Sequence, residues 1–175
     1  GIMQMVNHGV STGGLFILVG ILYHRRHTKA LNAFGGVWKA LPLFGALSLI
    51  ITLSSMGLPG LNGFVGEFTI LLGSFGSEAL GSVLFTFFAT LGVIMAAIYL
   101  LYMFQKIFMG PLDKKENEDL AKEPLHWTEL AALVPLVILI FVIGLYPTPF
   151  FGMMDSSAGQ LAAQLGGVVQ VLAGG

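Results

Sequence analysis

Residues 41–75 form an almost wholly apolar run, interrupted by Leu58-Pro59-Gly60-Leu61-Asn62-Gly63 and carrying a single charge, Glu67. As one straight helix this run would be about 50 Å long, too long for one crossing of a hydrocarbon layer about 30 Å thick. Pro59 removes a backbone donor and clashes with the preceding turn, while Gly57, Gly60 and Gly63 relax the chain. The run is therefore expected to divide into two half-helices, 41–57 and 64–75, that together make one discontinuous span.

Only a bilayer accommodates the rest of the chain. Hydrophobic residues make up 55% of it and charged residues 10%, far from the mixture of a soluble domain. Three further apolar runs, 1–23, 82–108 and 130–146, each have the length of a spanning helix. Trp127 and Tyr146 flank the last of these, where interfacial aromatics belong, and Pro135 lies one turn inside it. The expected fold is thus an all-α membrane protein of about four transmembrane helices, the second one discontinuous. Residues 1–151 form the membrane domain. Residues 152–175, small and polar around Asp155, Gln160 and Gln164, form a tail that is a short surface helix or nothing ordered. Gly1 is not an initiator Met and leads at once into apolar sequence, so the chain reads as the C-terminal part of a longer protein.

Charge distribution tests this layout. All eight basic residues fall in two connections: Arg25, Arg26, Lys29 and Lys39 in 24–39, and Lys106, Lys114, Lys115 and Lys122 in 106–123. Basic loops stay on the cytoplasmic side. The two share a side only if the broken run counts as one crossing, which also puts the C-terminus outside. The acidic residues interleaved in 113–123 give that loop the look of a solvated connector.

The absence of cysteine excludes thiolate-held clusters and disulfides. No phosphate loop and no nucleophile with a base is present, so neither a hydrolase nor a nucleotide site is expected. Likewise no catalytic residue, cofactor, metal site or nucleic-acid partner is expected. Glu67 is the strongest functional candidate, because an ionisable group at membrane depth is retained beside a partner or a water-filled path. Broken helices bring free backbone groups to such side chains, and a carboxyl group there exchanges protons as neighbouring charges change. His8 is second, with Thr12 one turn away on the same face; an imidazole holds or passes a proton at little cost near neutral pH. His24 and His27 read as headgroup or solvent contacts and His126 as interfacial. Tyr99, Tyr102, Met95, Met103, Phe85, Phe87 and Phe88 read as lipid-facing or packing groups, and Lys106 as a snorkelling base.

The segments Gln4-Met5-Val6-Asn7-His8-Gly9, Gly14-Leu15-Phe16, Gly20-Ile21-Leu22-Tyr23, Arg26-His27-Thr28 and Gly35-Gly36, with 58–68, carry a specific resemblance. Over residues 1 to about 150 the chain resembles the proton-translocating antiporter-like subunits of respiratory complex I. That resemblance implies the last four helices of a fourteen-helix bundle built from two inverted repeats, with the broken helix in the second repeat. It further implies that His8 belongs to a central hydrophilic axis and that Glu67 is the acidic residue of the broken helix, next to the outward exit. The implied partners are the other membrane subunits of the complex and the lipid bilayer, and the implied location is the inner membrane. Sister branches of the family typically carry lysine at this position, so the glutamate points away from them. The family's acidic and lysine partners in the first repeat have no counterpart in these residues. The same superfamily leaves open an Mrp-type cation/proton antiporter or a membrane-bound hydrogenase subunit, and a pure assembly scaffold is the non-transport alternative.

Overall fold

The computed structural model describes residues 1–77 and 83–173, with side chains as far as residue 164. Among these the regular elements are all helical. In chain order they are α1 (Ile2–Arg26), the single turn α2 (Val37–Ala40), α3 (Pro42–Ser55), α4 (Asn62–Phe75), α5 (Val83–Phe108), the turn α6 (Lys115–Glu118), α7 (Trp127–Leu145) and α8 (Thr148–Ala173). The expected start of the third span, at residue 82, lies outside the described residues. Helices α1, α5 and α7 are each long and apolar enough to cross a membrane.

The broken span is real, and its ends follow from local chemistry. Helix α3 starts with Pro42 in its first turn, where the missing N–H costs nothing. It ends in a Schellman motif: Gly57 is left-handed at φ 73°, its N–H donates to Ser54 O, and the Leu58 N–H reaches back to Leu53 O. Pro59 follows two residues later, so the helix cannot resume. Helix α4 begins at Asn62, two residues earlier than the glycine content alone indicates. Each half has 14 residues, about 21 Å, so neither spans alone.

Helix α1 packs on α3, α4 and α7, and α5 lies against α4 near its start and against α3 and α2 towards its end. Small residues allow the close approaches. A Cβ on Gly14 would come 3.0 Å from Ile51, and one on Gly144 would overlap the backbone of Gly60 and Leu61. Without a solvent-driven hydrophobic effect between helices, this kind of contact supplies much of the packing energy in a bilayer. Ile51, Leu133, Ile140 and Phe44 fill the interior. At the loop end Trp38, Phe104, Phe108 and Phe44 interlock, with the Phe104 and Phe108 rings stacked 4.7 Å apart.

Helix α5 buries only Leu100, Phe104, Ile107 and Phe108. Phe85, Phe87, Phe88, Met95, Tyr99 and Tyr102 are exposed, as lipid-facing or neighbour-facing groups should be, while Met103 packs against the core. Helix α7 continues through Pro135. The tail is more regular than expected: in place of a short surface helix or nothing ordered, Thr148–Ala173 is one helix of 26 residues, and position 151/152 lies inside it. Its frequent Ala, Leu, Gln and Met residues favour helix enough to offset the glycines.

The two basic loops meet at one end of the bundle. Gly36 N–H donates to Met109 O at 2.9 Å, Arg26 Nε to Asn117 Oδ1 at 3.0 Å, and Asn117 Nδ2 to Gly35 O at 3.2 Å. Asn117 is fully buried. The second loop is therefore more than a solvated connector. Arg25, with a side chain only 3% exposed, pairs with Glu129 at 2.7 Å and donates to the carbonyls of Glu123 and Pro124. Lys114 donates to the carbonyls of Asn32 and Phe34. Of the histidines there, His24, His27 and His126 are exposed.

Candidate functional site

The first residues of α4 place a polar group where three chain segments converge. Asn62 is fully buried at the start of α4. Its side-chain oxygen accepts from Ser54, at the end of α3, and from Ser11 on α1 at 3.3 Å. Its amide donates to Asn7 O at 3.2 Å and to Asn7 Oδ1 at 3.4 Å. Ser11 and Ser54 Oγ lie 2.6 Å apart, so Ser11 shares its single hydroxyl proton between Ser54 Oγ and Asn62 Oδ1 while Ser54 donates to Asn62. Each of these groups would be costly to bury alone, and together they tie α1 to both halves of the broken span.

Gly63 lies one residue into α4 rather than in the unwound stretch. A Cβ there would overlap Ser54 O and lie 3.5 Å from Gly57 Cα, so its role is to let the two half-helices touch. Pro59 and Gly60 do occupy the break, Gly60 at φ 93°. One helical turn beyond Gly63 comes Glu67. Its carboxylate lies against Gly57, where a Cβ would overlap Oε2 and sit 3.0 Å from Cδ. Glu67 is half-buried and forms no ion pair among the described residues.

His8 stands across from it on α1. The ring is exposed, and its Nδ1 shares a 3.1 Å hydrogen bond with Thr12 Oγ1. Both candidates line one cavity of about 70 Å³, whose other walls include Asn7, Ser11, Ser54 and Gly63. The floor is buried and amide- or hydroxyl-lined; the two titratable groups occupy the more open rim. Such an arrangement can hold water and exchange protons between an imidazole and a carboxyl group.

The residues of the floor escape a reading that looks only for charge. Their signal is spacing: Gln4, Asn7, His8, Ser11 and Thr12 recur at three- and four-residue intervals, a polar stripe on one face of an otherwise apolar helix.

Comparison with known proteins gives this geometry a context. Residues 1–95 match the family described as NADH:quinone oxidoreductase/Mrp antiporter, transmembrane. The chain belongs to that family. Among family members, it is 38% identical over 160 residues to NADH-quinone oxidoreductase subunit M of Rickettsia conorii, covering 91% of this chain and 31% of that protein. With subunit M of Pseudomonas aeruginosa it shares 36% identity over 173 residues, 99% of this chain and 32% of the relative. A solved structure, respiratory complex I from Thermus thermophilus with bound NADH, contains a chain that superposes with a TM-score of 0.69 at 35% identity. That match covers 82% of this chain and 29% of the other. The chain thus spans about a third of the length of these relatives. Both relatives are named subunit M. The apolar helices and the family together make this a multi-pass membrane protein.

Proposed function

We propose that this chain works as part of subunit M of a bacterial NADH:quinone oxidoreductase. In that role it conducts protons across the inner membrane while electrons pass from NADH to quinone in other subunits. The observation that carries the reading is the shared cavity: Glu67 and His8 line one polar pocket beside a broken helix, in a chain whose membrane segments are otherwise nearly free of charge. His8 receives a proton from the centre of the subunit, and Glu67 passes it towards the face opposite the basic loops. Pro59, Gly60 and Gly63 make the break that permits this approach.

Loops 24–39 and 106–123 are cytoplasmic and the C-terminus lies outside. The length of α1 indicates where the carboxylate lies relative to those loops. Glu67 sits beside Gly66, which abuts Gln4, and Gln4 is 22 residues from Arg26, about 33 Å along α1. The carboxylate is therefore far from the basic loops, in the outer part of the bundle. The partners are the other membrane subunits of the complex and the lipid around them, and no redox or hydrolytic residue is contributed by this chain.

The family description also covers Mrp antiporters, and a membrane-bound hydrogenase subunit would share the same axis; the names of the relatives favour the quinone reductase. A pure scaffold would be favoured by a Glu67 without polar surroundings, and its lining of the cavity argues the other way. The test is Glu67→Gln in the full-length subunit within the assembled complex, with proton uptake and NADH oxidation followed together. A fall in protons moved per NADH is expected; unchanged pumping by an intact complex removes Glu67 from the path.

A further inference from the structure

The polar groups around the break do not balance. Asn62 uses both ends of its amide, yet two neighbours on α1 are left over: Asn7 Nδ2 and Gln4 Oε1 are buried and have no hydrogen-bond partner within the protein. Asn7 as a whole is 1% exposed. Buried amide groups of this kind are regularly completed by ordered water.

Geometry brings the two together. A Cβ on Gly66 would overlap Gln4 Oε1 and come within 2.8 Å of Asn7 Nδ2, so both atoms converge on the bare backbone of that glycine. They consequently lie no more than about 5 Å apart, one a donor and the other an acceptor, a separation that a single water bridges. Turning either amide over does not remove the mismatch. A reversed Asn7 would face Gln4 acceptor to acceptor and would lose its bond from Asn62; a reversed Gln4 would face Asn7 donor to donor. Both residues also line the cavity of about 70 Å³ that Glu67 and His8 share, which exceeds the roughly 10–15 Å³ that one water needs.

We infer that Gln4 and Asn7 hold an ordered water beside Glu67, and that these two amides are positioning residues for the proton that Glu67 carries. This rests on the proton-conducting reading of Glu67. The water accepts from Asn7 Nδ2–H and donates one O–H to Gln4 Oε1. Its second O–H and its remaining lone pair are free for the rim of the cavity, where the carboxylate and the imidazole stand. A proton arriving on that lone pair from the imidazole is matched by one leaving through the second O–H to the carboxylate, so the water is regenerated and charge is conserved. The glycine at 66 supports the site, since a side chain there would overlap Gln4 Oε1 and crowd Asn7 Nδ2 out of place.

The full-length subunit in the assembled complex provides the test, in two independent arms. The first is a high-resolution map of the complex, in which a density peak between Gln4 and Asn7 is expected and its absence overturns the inference. The second compares Gln4→Met, Gln4→Glu and Glu67→Gln after reconstitution into liposomes, with assembly checked on native gels. Gln4→Met keeps the length of the side chain and breaks no hydrogen bond within the protein. It is expected to slow proton translocation about tenfold, the rate equivalent of one hydrogen bond lost from the water while it carries the proton, and to enlarge the solvent deuterium isotope effect. Gln4→Glu keeps an acceptor and restores the rate. Pumping and an isotope effect in Gln4→Met equal to wild type overturn the positioning role, even where Glu67→Gln has lost activity. Undiminished pumping in Glu67→Gln removes the proton-path reading instead, leaving the water peak as a separate question that the map decides.

Discussion

Removing Arg25 should loosen the join between the basic loops and the membrane helices by an amount that the structure allows one to estimate. Its guanidinium is 3% exposed, pairs with Glu129 at 2.7 Å and donates to two backbone carbonyls. Breaking a buried ion pair by removing one partner costs roughly 3–5 kcal/mol, mostly because the other charge is left unpaired. Here the stranded group would be Glu129, which is 17% exposed and keeps the His126 N–H at 2.8 Å. Arg25→Met should accordingly cost less, about 2–3 kcal/mol. The double variant Arg25→Met with Glu129→Met strands no charge and should cost only about 1 kcal/mol, so the two changes should couple by at least ~1.5 kcal/mol. The assay is chemical unfolding of the full-length protein in mixed detergent, with Trp38 and Trp127, which lie in and beside the loops, as fluorescence reporters. Tryptic cleavage at Lys114, Lys115 and Lys122 in native membranes gives a second readout. Additivity of the two single changes to within ~0.5 kcal/mol would refute the reasoning, because it would mean that the pair is solvated.

Other consequences are simpler to state. Gly66→Ala should destabilise the protein by about 1–3 kcal/mol, since the added methyl would overlap the Gln4 amide and sit 3.1 Å from Gln4 Cα; a thermal shift no larger than that of an open-face glycine substitution would contradict the packing of α1 on α4. Gly57→Ala should do two things at once, straining a residue at φ 73° and displacing the Glu67 carboxylate, so both the melting temperature and proton movement per NADH should fall. Lys122→Ala should leave thermal stability unchanged within error, because its 2.5 Å pair with Asp119 is fully exposed. The hydrogen bond from Lys122 holds the Asp119 carboxyl below its ordinary value. Whatever that pair adds is present above the unfolded-state value of an aspartate and disappears as pH falls through the lowered one, so wild type and Lys122→Ala should show the same pH course of melting temperature within error.

The sequence announces its spans through length and its break through Pro59 and Gly57, because both are dictated within a few residues of chain. Glu67 is equally legible, as a lone charge in apolar surroundings. The parity of the basic loops is a longer-range inference, and the contacts of Gly36 with Met109 and of Arg26 with Asn117 agree with it. What stays hidden is the identity of partners. Asn62 next to Pro59 and Gly60 reads as turn chemistry, and only the approach of α1 reveals that it is the centre of a buried cluster. Arg25 likewise reads as a base at a membrane surface, whereas the fold bends the 109–126 segment over it. Helix α8 was obscured by its own glycines.

The division of labour around the break explains why the obvious polar residue and the functional candidate are different residues. An interrupted helix needs cross-links, or its two halves would slide. Asn62, Ser54, Ser11 and Asn7 provide them with neutral groups whose hydrogen bonds do not depend on pH. Glu67, a little over one turn further along α4, takes no part in that cluster. A carboxyl group that gains and loses a proton changes from acceptor to donor each time, and a helix junction fastened through it would open and close with it. Fastening the junction through neutral amides leaves Glu67 free to change charge inside a fixed frame. The price is the bare backbone at Gly57, Gly63 and Gly66, where any side chain would push the carboxylate or the half-helices out of place.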